Sequence, residues 1–184
     1  MHSLPLNYKV TAFKTLVWKE IRRFLRIWVQ TLVPPVITIS LYFVIFGNLI
    51  GRRIGEMNGY SYMEFIVPGL IMMAVINNSY ANVVSSFFSQ KYQRSIEELL
   101  VSPMPNYVIL SGFVIGGVTR GLAVGAVATI MSLFFSGLHM HNIFITILVV
   151  LMSSIVFSLG GFINAIFANK FDDITIIPTF VLTP

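Results

Sequence analysis

The sequence predicts an all-α integral membrane protein, a polytopic helical bundle with an N-terminal amphipathic interfacial helix and a short helix between two spans. Three observations predict it. Hydrophobic residues make up 56% of the 184 and charged residues only 10%, against roughly a quarter charged in a soluble domain. Long apolar runs recur at lengths that match a bilayer. A charged, proline-ended segment, residues 91–105, separates two of these runs. The chain has no cysteine, which excludes disulfides and thiolate metal sites. Its three histidines, His2, His139 and His141, sit at the N-terminus and in one tight loop, as solvated side chains or a loop metal pair. The net charge of +5 gathers beside the first apolar run. That is the signature of a membrane flank and not of a nucleic-acid footprint.

Residues 7–26 form the interfacial helix by pattern. Val10, Phe13, Val17, Ile21, Phe24 and Trp28 recur at steps of three and four and give one apolar face. Lys19, Arg22, Arg23 and Arg26 share another face, which is expected to turn toward anionic lipid. Residues 27–50 are the first span, and 24 helical residues cover about 36 Å. Pro34-Pro35 perturbs this span, but neighbouring helices can satisfy the freed carbonyls. Residues 51–61 form a short loop. The second span is 63–88, with a kink expected near Pro68-Gly69.

The segment 91–105 carries the most information. Ser95 and Glu98 have the spacing of a capping box, and Pro103 and Pro105 stop the helix after about two turns. The result is a brief helix just outside the membrane. Glu97 and Glu98 supply carboxylates, and Ile96, Leu99 and Leu100 supply an apolar face. Too short to span and too ordered for a tether, it reads as a docking surface for a soluble partner.

The run 107–137 is too long for one span, since 31 residues reach about 46 Å against a hydrocarbon core of about 30 Å. Dividing it gives an interfacial or re-entrant helix over 106–119 and a third span over 120–137. Arg120 then falls at the inner boundary, which avoids most of the cost of an arginine in lipid. The fourth span is 143–168. Residues 174–184 begin a further apolar segment of 11 residues, only about 17 Å long, so the chain is expected to be a piece of a longer protein. Loop charge sets the orientation. Nine lysines and arginines flank one side and two, Arg52 and Arg53, the other, which puts the N-terminus and segment 91–105 in the cytoplasm.

Gly117, Gly121 and Gly125 are spaced by four, and Gly112 and Gly116 repeat the step. Such spacing lets helices approach closely in lipid, within one chain or between subunits. Asn77, Asn78, Ser79 and Asn82 cluster in the second span, and Ser153, Ser154, Ser158 and Asn164 in the fourth. With Arg120, these residues either join helices or line a wet path. Glu97-Glu98 has no opposing group that would make it an acid–base pair, and no phosphate loop or HExxH motif is present.

These features together resemble a family. The basic helix leads into Leu32-Val33-Pro34-Pro35, and the second span opens with Phe65-Ile66-Val67-Pro68-Gly69-Leu70. The segment Arg94-Ser95-Ile96-Glu97-Glu98-Leu99-Leu100-Val101-Ser102-Pro103 follows, and Pro178-Thr179-Phe180 begins the last run. The chain resembles the type-2 ABC transporter permeases, the membrane subunits of ATP-driven exporters. Many members have Gly-Thr where this chain has Ser95-Ile96. The resemblance implies a six-span fold in a bacterial inner membrane, of which this chain holds part. It implies a second permease chain, substrates that are amphipathic or hydrophobic, and a separate ATP-binding cassette ATPase that carries ATP and magnesium. Arg94, Ser95, Glu97, Glu98, Leu99 and Leu100 would then form the coupling helix that seats in the ATPase. Two other classes fit the composition: a non-transporting membrane scaffold, and a membrane-embedded lipid-modifying enzyme.

Overall fold

The computed structural model describes residues 5–50, 56–57, 60–135 and 142–182. The three histidines and Arg52 and Arg53 lie outside them. Helix α1 (Leu6–Arg26) is followed at once by α2 (Trp28–Tyr42), whose last turns widen into a π-helix over Phe43–Ile50. A two-residue antiparallel ladder pairs Glu56 with Ser61 and Met57 with Tyr60. Helix α3 (Tyr62–Tyr92) runs unbroken through Pro68. The short α4 (Ser95–Val101), the long α5 (Asn106–Phe135), α6 (Ile143–Phe167) and the brief α7 (Asp173–Ile177) follow, and a π-helix over Pro178–Leu182 is the last described element.

Four of these helices are long and apolar enough to cross a membrane: α2 with the start of its π extension, α3, α5 and α6. Their burial separates two roles. In the most apolar stretch of α5, 44% of residues are buried, against 11% in α6. Helix α5 is therefore the post around which α1, α2, α3 and α6 pack. Helix α6 turns one face inward through Ser154, Ser158, Gly161 and Ala165 and leaves Phe144, Val156 and Ile163 exposed. Such an outer face suits lipid, because hydrocarbon tails solvate it as well as protein would.

The expected division of the third apolar run does not occur. Helix α5 is continuous for 30 residues, with Arg120 at its middle. The division rested on the cost of an arginine surrounded by lipid. A hydrogen bond to Asn78 of α3 turns Arg120 toward the protein and offsets part of that cost. The excess length is shared, because α3 is 31 residues long and α1 covers the first half of α5. Leu16 of α1 presses on Gly112 of α5.

The core is divided along the bundle. Ile39, Phe43, Val67, Ile71, Val75 and Ala128 join α2, α3 and α5 at one end. Val83, Ile109 and Phe113, with Leu99 and Phe162 against them, fill the middle. Phe88, Ala165 and Ala168 close the other end. There Lys91 donates to the carbonyls of Ile166 (2.6 Å) and Ala168 (2.7 Å), satisfying acceptors at the C-terminus of α6.

Candidate functional site

Three helices bring charge together inside the bundle. Glu20 of α1 is fully buried. Its Oε1 accepts from Ser86 Oγ at 2.8 Å, and its Oε2 accepts from Arg23 Nε at 3.3 Å. Arg23 Nη2 then donates to both the backbone carbonyl (3.0 Å) and Oδ1 (2.8 Å) of Asn82. Glutamate and arginine three apart share a helix face, and Gly116 makes room for them: a methyl group there would sit 2.7 Å from Glu20 Cβ. Arg23 thus departs from the expected lipid-facing row. Lys19, Arg22 and Arg26 remain exposed, and Arg22 stacks over Trp18 at 5.0 Å. Arg23 turns inward because a buried carboxylate and an asparagine offer it charge-assisted bonds that water or headgroups would otherwise supply.

One turn along α3, Asn78 repeats the arrangement without the acid. Its Oδ1 accepts from Arg120 Nη2 at 3.2 Å, and its Nδ2 donates to the Ala74 carbonyl at 3.0 Å. Arg120 Nε is buried and has no hydrogen-bond partner. Arg120 and Asn78, with Asn77, line a cleft of about 390 Å³ between α2 and α3. Helix α2 contributes Gln30, Thr31, Pro34, Pro35, Thr38, Ile39 and Tyr42 to it. Pro34 and Pro35 have no N–H to return to residues four before them, so the carbonyls of Gln30 and Thr31 lose their usual intrahelical donors.

The glycine row serves a different seam. Methyl groups at Gly117 and Gly121 would collide with Ser158 and Ser79 respectively, and one at Gly125 would lie 2.8 Å from Val75. These glycines let α5 touch α3 and α6 backbone to backbone. Ser79, Ser154 and Ser158 are buried in that contact, and Asn164 is buried nearer the end of α6. The amide and hydroxyl rows of α3 and α6 therefore do not meet in one cavity. Asn77, Asn78 and Arg120 border the cleft, Asn82 is held by Arg23, and Ser158 and Asn164 belong to packed interfaces.

The charged segment forms α4, but not by the expected capping box. Arg94 adopts a left-handed backbone (φ 58°), and no side chain caps the helix. Ser95 Oγ donates back to the Gln90 carbonyl at 3.3 Å, at the end of α3. The left-handed residue reverses the chain within two positions, which draws Ser95 away from the amides it was expected to cap. Glu98 is left with no capping duty. Ile96 is buried, and Leu99 packs on the middle core cluster. Arg94, Glu97, Glu98, Leu100 and Val101 are exposed. Leu99 and Met104 face Tyr8, Thr11, Thr15 and Lys19 of α1 across a groove of about 280 Å³.

The sequence reading missed Glu20 and Ser86. A signal for Glu20 was present, as it is the one acid in α1 and stands three residues before Arg23. Ser86 continues the Asn78–Asn82 step of four, so its place on that face was also open to inspection.

Residues 11–184 match the model of the ABC-2 type transporter family. The chain belongs to that family. Over 173 residues it is 61% identical to the inner membrane transport permease YadH of Escherichia coli K12, a stretch covering 94% of this chain and 68% of that protein. The YadH permease of Shigella flexneri matches to the same extent. No solved structure matches. As an ABC-2 type transporter the chain is a multi-pass membrane protein and a permease subunit, a part that transports and does not catalyse.

Proposed function

We propose that this chain is the membrane subunit of an ATP-driven exporter in a bacterial inner membrane, with its N-terminus in the cytoplasm. Two such subunits pair, and each docks on a separate ATPase that binds ATP and magnesium. The docking element is α4, through Arg94, Glu97, Glu98 and Leu100, with the exposed cations of α1 alongside. The translocation path carries an amphipathic or hydrophobic molecule, and the α2–α3 cleft is part of its wall.

One observation supports this reading above the others. Helix α4 is anchored from beneath by Ile96 and Leu99, yet presents Leu100 and Val101, 62% and 86% exposed, beside two carboxylates. A firmly held helix with an uncovered apolar edge and a charged rim has the composition of a binding knob. It faces α1 across a groove, and Leu99 packs on the same long helix that α1 covers, so force applied to α4 has a route to the helix that carries Glu20 and Arg23. Coupling then requires the ATPase to bind two permease conformations with different affinity.

The test is purification of the tagged full-length protein in a mild detergent, with a stoichiometric ATP-binding cassette subunit expected to accompany it. Replacing Leu100 and Val101 by Asp is expected to release that subunit while the permease itself stays folded, because neither side chain is buried. A preparation free of any ATPase, or one in which this variant retains the ATPase fully, overturns the docking reading and favours a scaffold.

A further inference from the structure

Among the described residues, Arg120 is the one charged residue on the α2–α3 cleft, and no carboxylate lines it. Among the described residues Arg23 pairs with Glu20, while Arg120 has a single neutral acceptor, Asn78 Oδ1, and a buried Nε with none. A guanidinium carries five donors in a planar fork and keeps its charge. Held at the middle of a membrane-crossing helix, such a cation is costly unless something negative meets it. Asn77 and Asn78 add amide groups at the same end of the cleft. The rest of the wall is uncharged: Gln30, Thr31, Thr38 and Tyr42 add neutral polar groups from α2, and Ile39, Leu70 and Met73 supply apolar surface. About 390 Å³ lies within the range of small-ligand pockets.

We infer that this cleft binds an anionic amphiphile: a phosphate or carboxylate headgroup on Arg120, Asn77 and Asn78, and a hydrocarbon portion along Ile39, Leu70 and Met73. A neutral amphiphile would satisfy the amides and leave the charge unmet. A cation would be repelled. The chemistry is shared by a resident acidic lipid and by a transported acidic molecule. That the ligand is cargo rests on the permease reading; that it is anionic does not.

The experiment uses the full-length protein with its ATPase in nanodiscs. Spin-labelled phosphatidic acid and spin-labelled phosphatidylcholine with identical tails are compared as probes. Wild-type protein is expected to immobilise the acidic probe about tenfold more strongly. Arg120→Lys is expected to keep most of that preference, and Arg120→Gln to lose it. Equal immobilisation of the two probes by wild-type protein overturns the proposal without recourse to any variant, as does full selectivity in a folded Arg120→Gln. ATP hydrolysis then identifies the source. Saturable stimulation by the acidic probe marks it as a cargo mimic, and selective binding without stimulation marks a resident lipid. Because binding is read independently of ATP turnover, absence of an ATPase would count against the permease complex and leave the anion site to stand or fall on its own.

Discussion

Arg23 and Arg120 reach α3 one helical turn apart, and each finds the side-chain oxygen of an asparagine there. Their surroundings differ in one residue. Arg23 has Glu20 beneath it, and that carboxylate is further held by Ser86. Among the described residues Arg120 has no acid against it, and it borders a cleft. The first is a closed brace between α1 and α3, with charge and hydrogen bonds satisfied inside the protein. The second is an open half of the same arrangement. The difference teaches that an arginine at membrane depth is to be read by what completes its pairing, and that position in the span alone does not assign its role.

The largest effect is expected from removing the acid that makes the two arginines unlike. Glu20→Ala leaves Arg23 and Ser86 facing a buried void, and it should destabilise the protein by about 3 kcal/mol, the scale of a half-removed buried pair. Equilibrium unfolding of the full-length protein in mixed micelles reads this directly. Glu20→Gln keeps an acceptor for Ser86 and should cost markedly less. Equal losses in the two variants would mean that the carboxylate's charge does not matter and that the brace is only packing.

The glycines separate the two sites. Gly116→Ala pushes on Glu20 Cβ at 2.7 Å, and Gly121→Ala drives a methyl group into Ser79, beside Asn78. Each should cost about 2 kcal/mol, as overpacking of a tight contact does. In the same unfolding measurement, Gly116→Ala should be less harmful on a Glu20→Gly background, where the crowded Cβ has gone. Gly121→Ala should simply add to Glu20→Ala.

Arg120→Gln reverses the sign. Removing an uncompensated cation is expected to leave stability unchanged or raise it by about 1 kcal/mol, in contrast to any loss at Glu20. A destabilisation of Arg120→Gln as large as that of Glu20→Ala would show that Arg120 is also a brace and would dissolve the comparison.

Much of this architecture was open to the sequence. The four spans follow from apolar runs, and α1 from its three–four periodicity. What was hidden lay across helices. The split at Arg120 came from treating lipid as its surroundings, whereas Asn78 is 42 positions away and meets it only once α3 and α5 pack. The burial of Glu20 depends on Gly116, 96 residues on, being small enough to admit it. The capping box failed for a local reason that spacing cannot express, the left-handed backbone of Arg94. Of the site, Asn77, Asn78 and Arg120 were all singled out, but nothing in their spacing told that Asn82 would be claimed by a different arginine.

The smallest expected effect concerns a carboxylate in water, the counterpart of Glu20 in the interior. Asp173 Oδ2 accepts from the backbone N–H of Asn169 (2.8 Å) and of Lys170 (3.0 Å), closing the loop after α6. Those bonds, that of Asn169 first, hold its carboxyl below the ordinary value of 3.8. A carboxyl whose folded value is depressed stabilises the loop above its unfolded value, and that stabilisation is lost as pH falls through the folded one. The Asn169 and Lys170 amides should therefore exchange slowly at neutral pH relative to an Asp173→Asn variant, once intrinsic rates are corrected for pH. Their protection should disappear only in acid, below the ordinary carboxylate range. Being solvated, the group should contribute too little to move global unfolding.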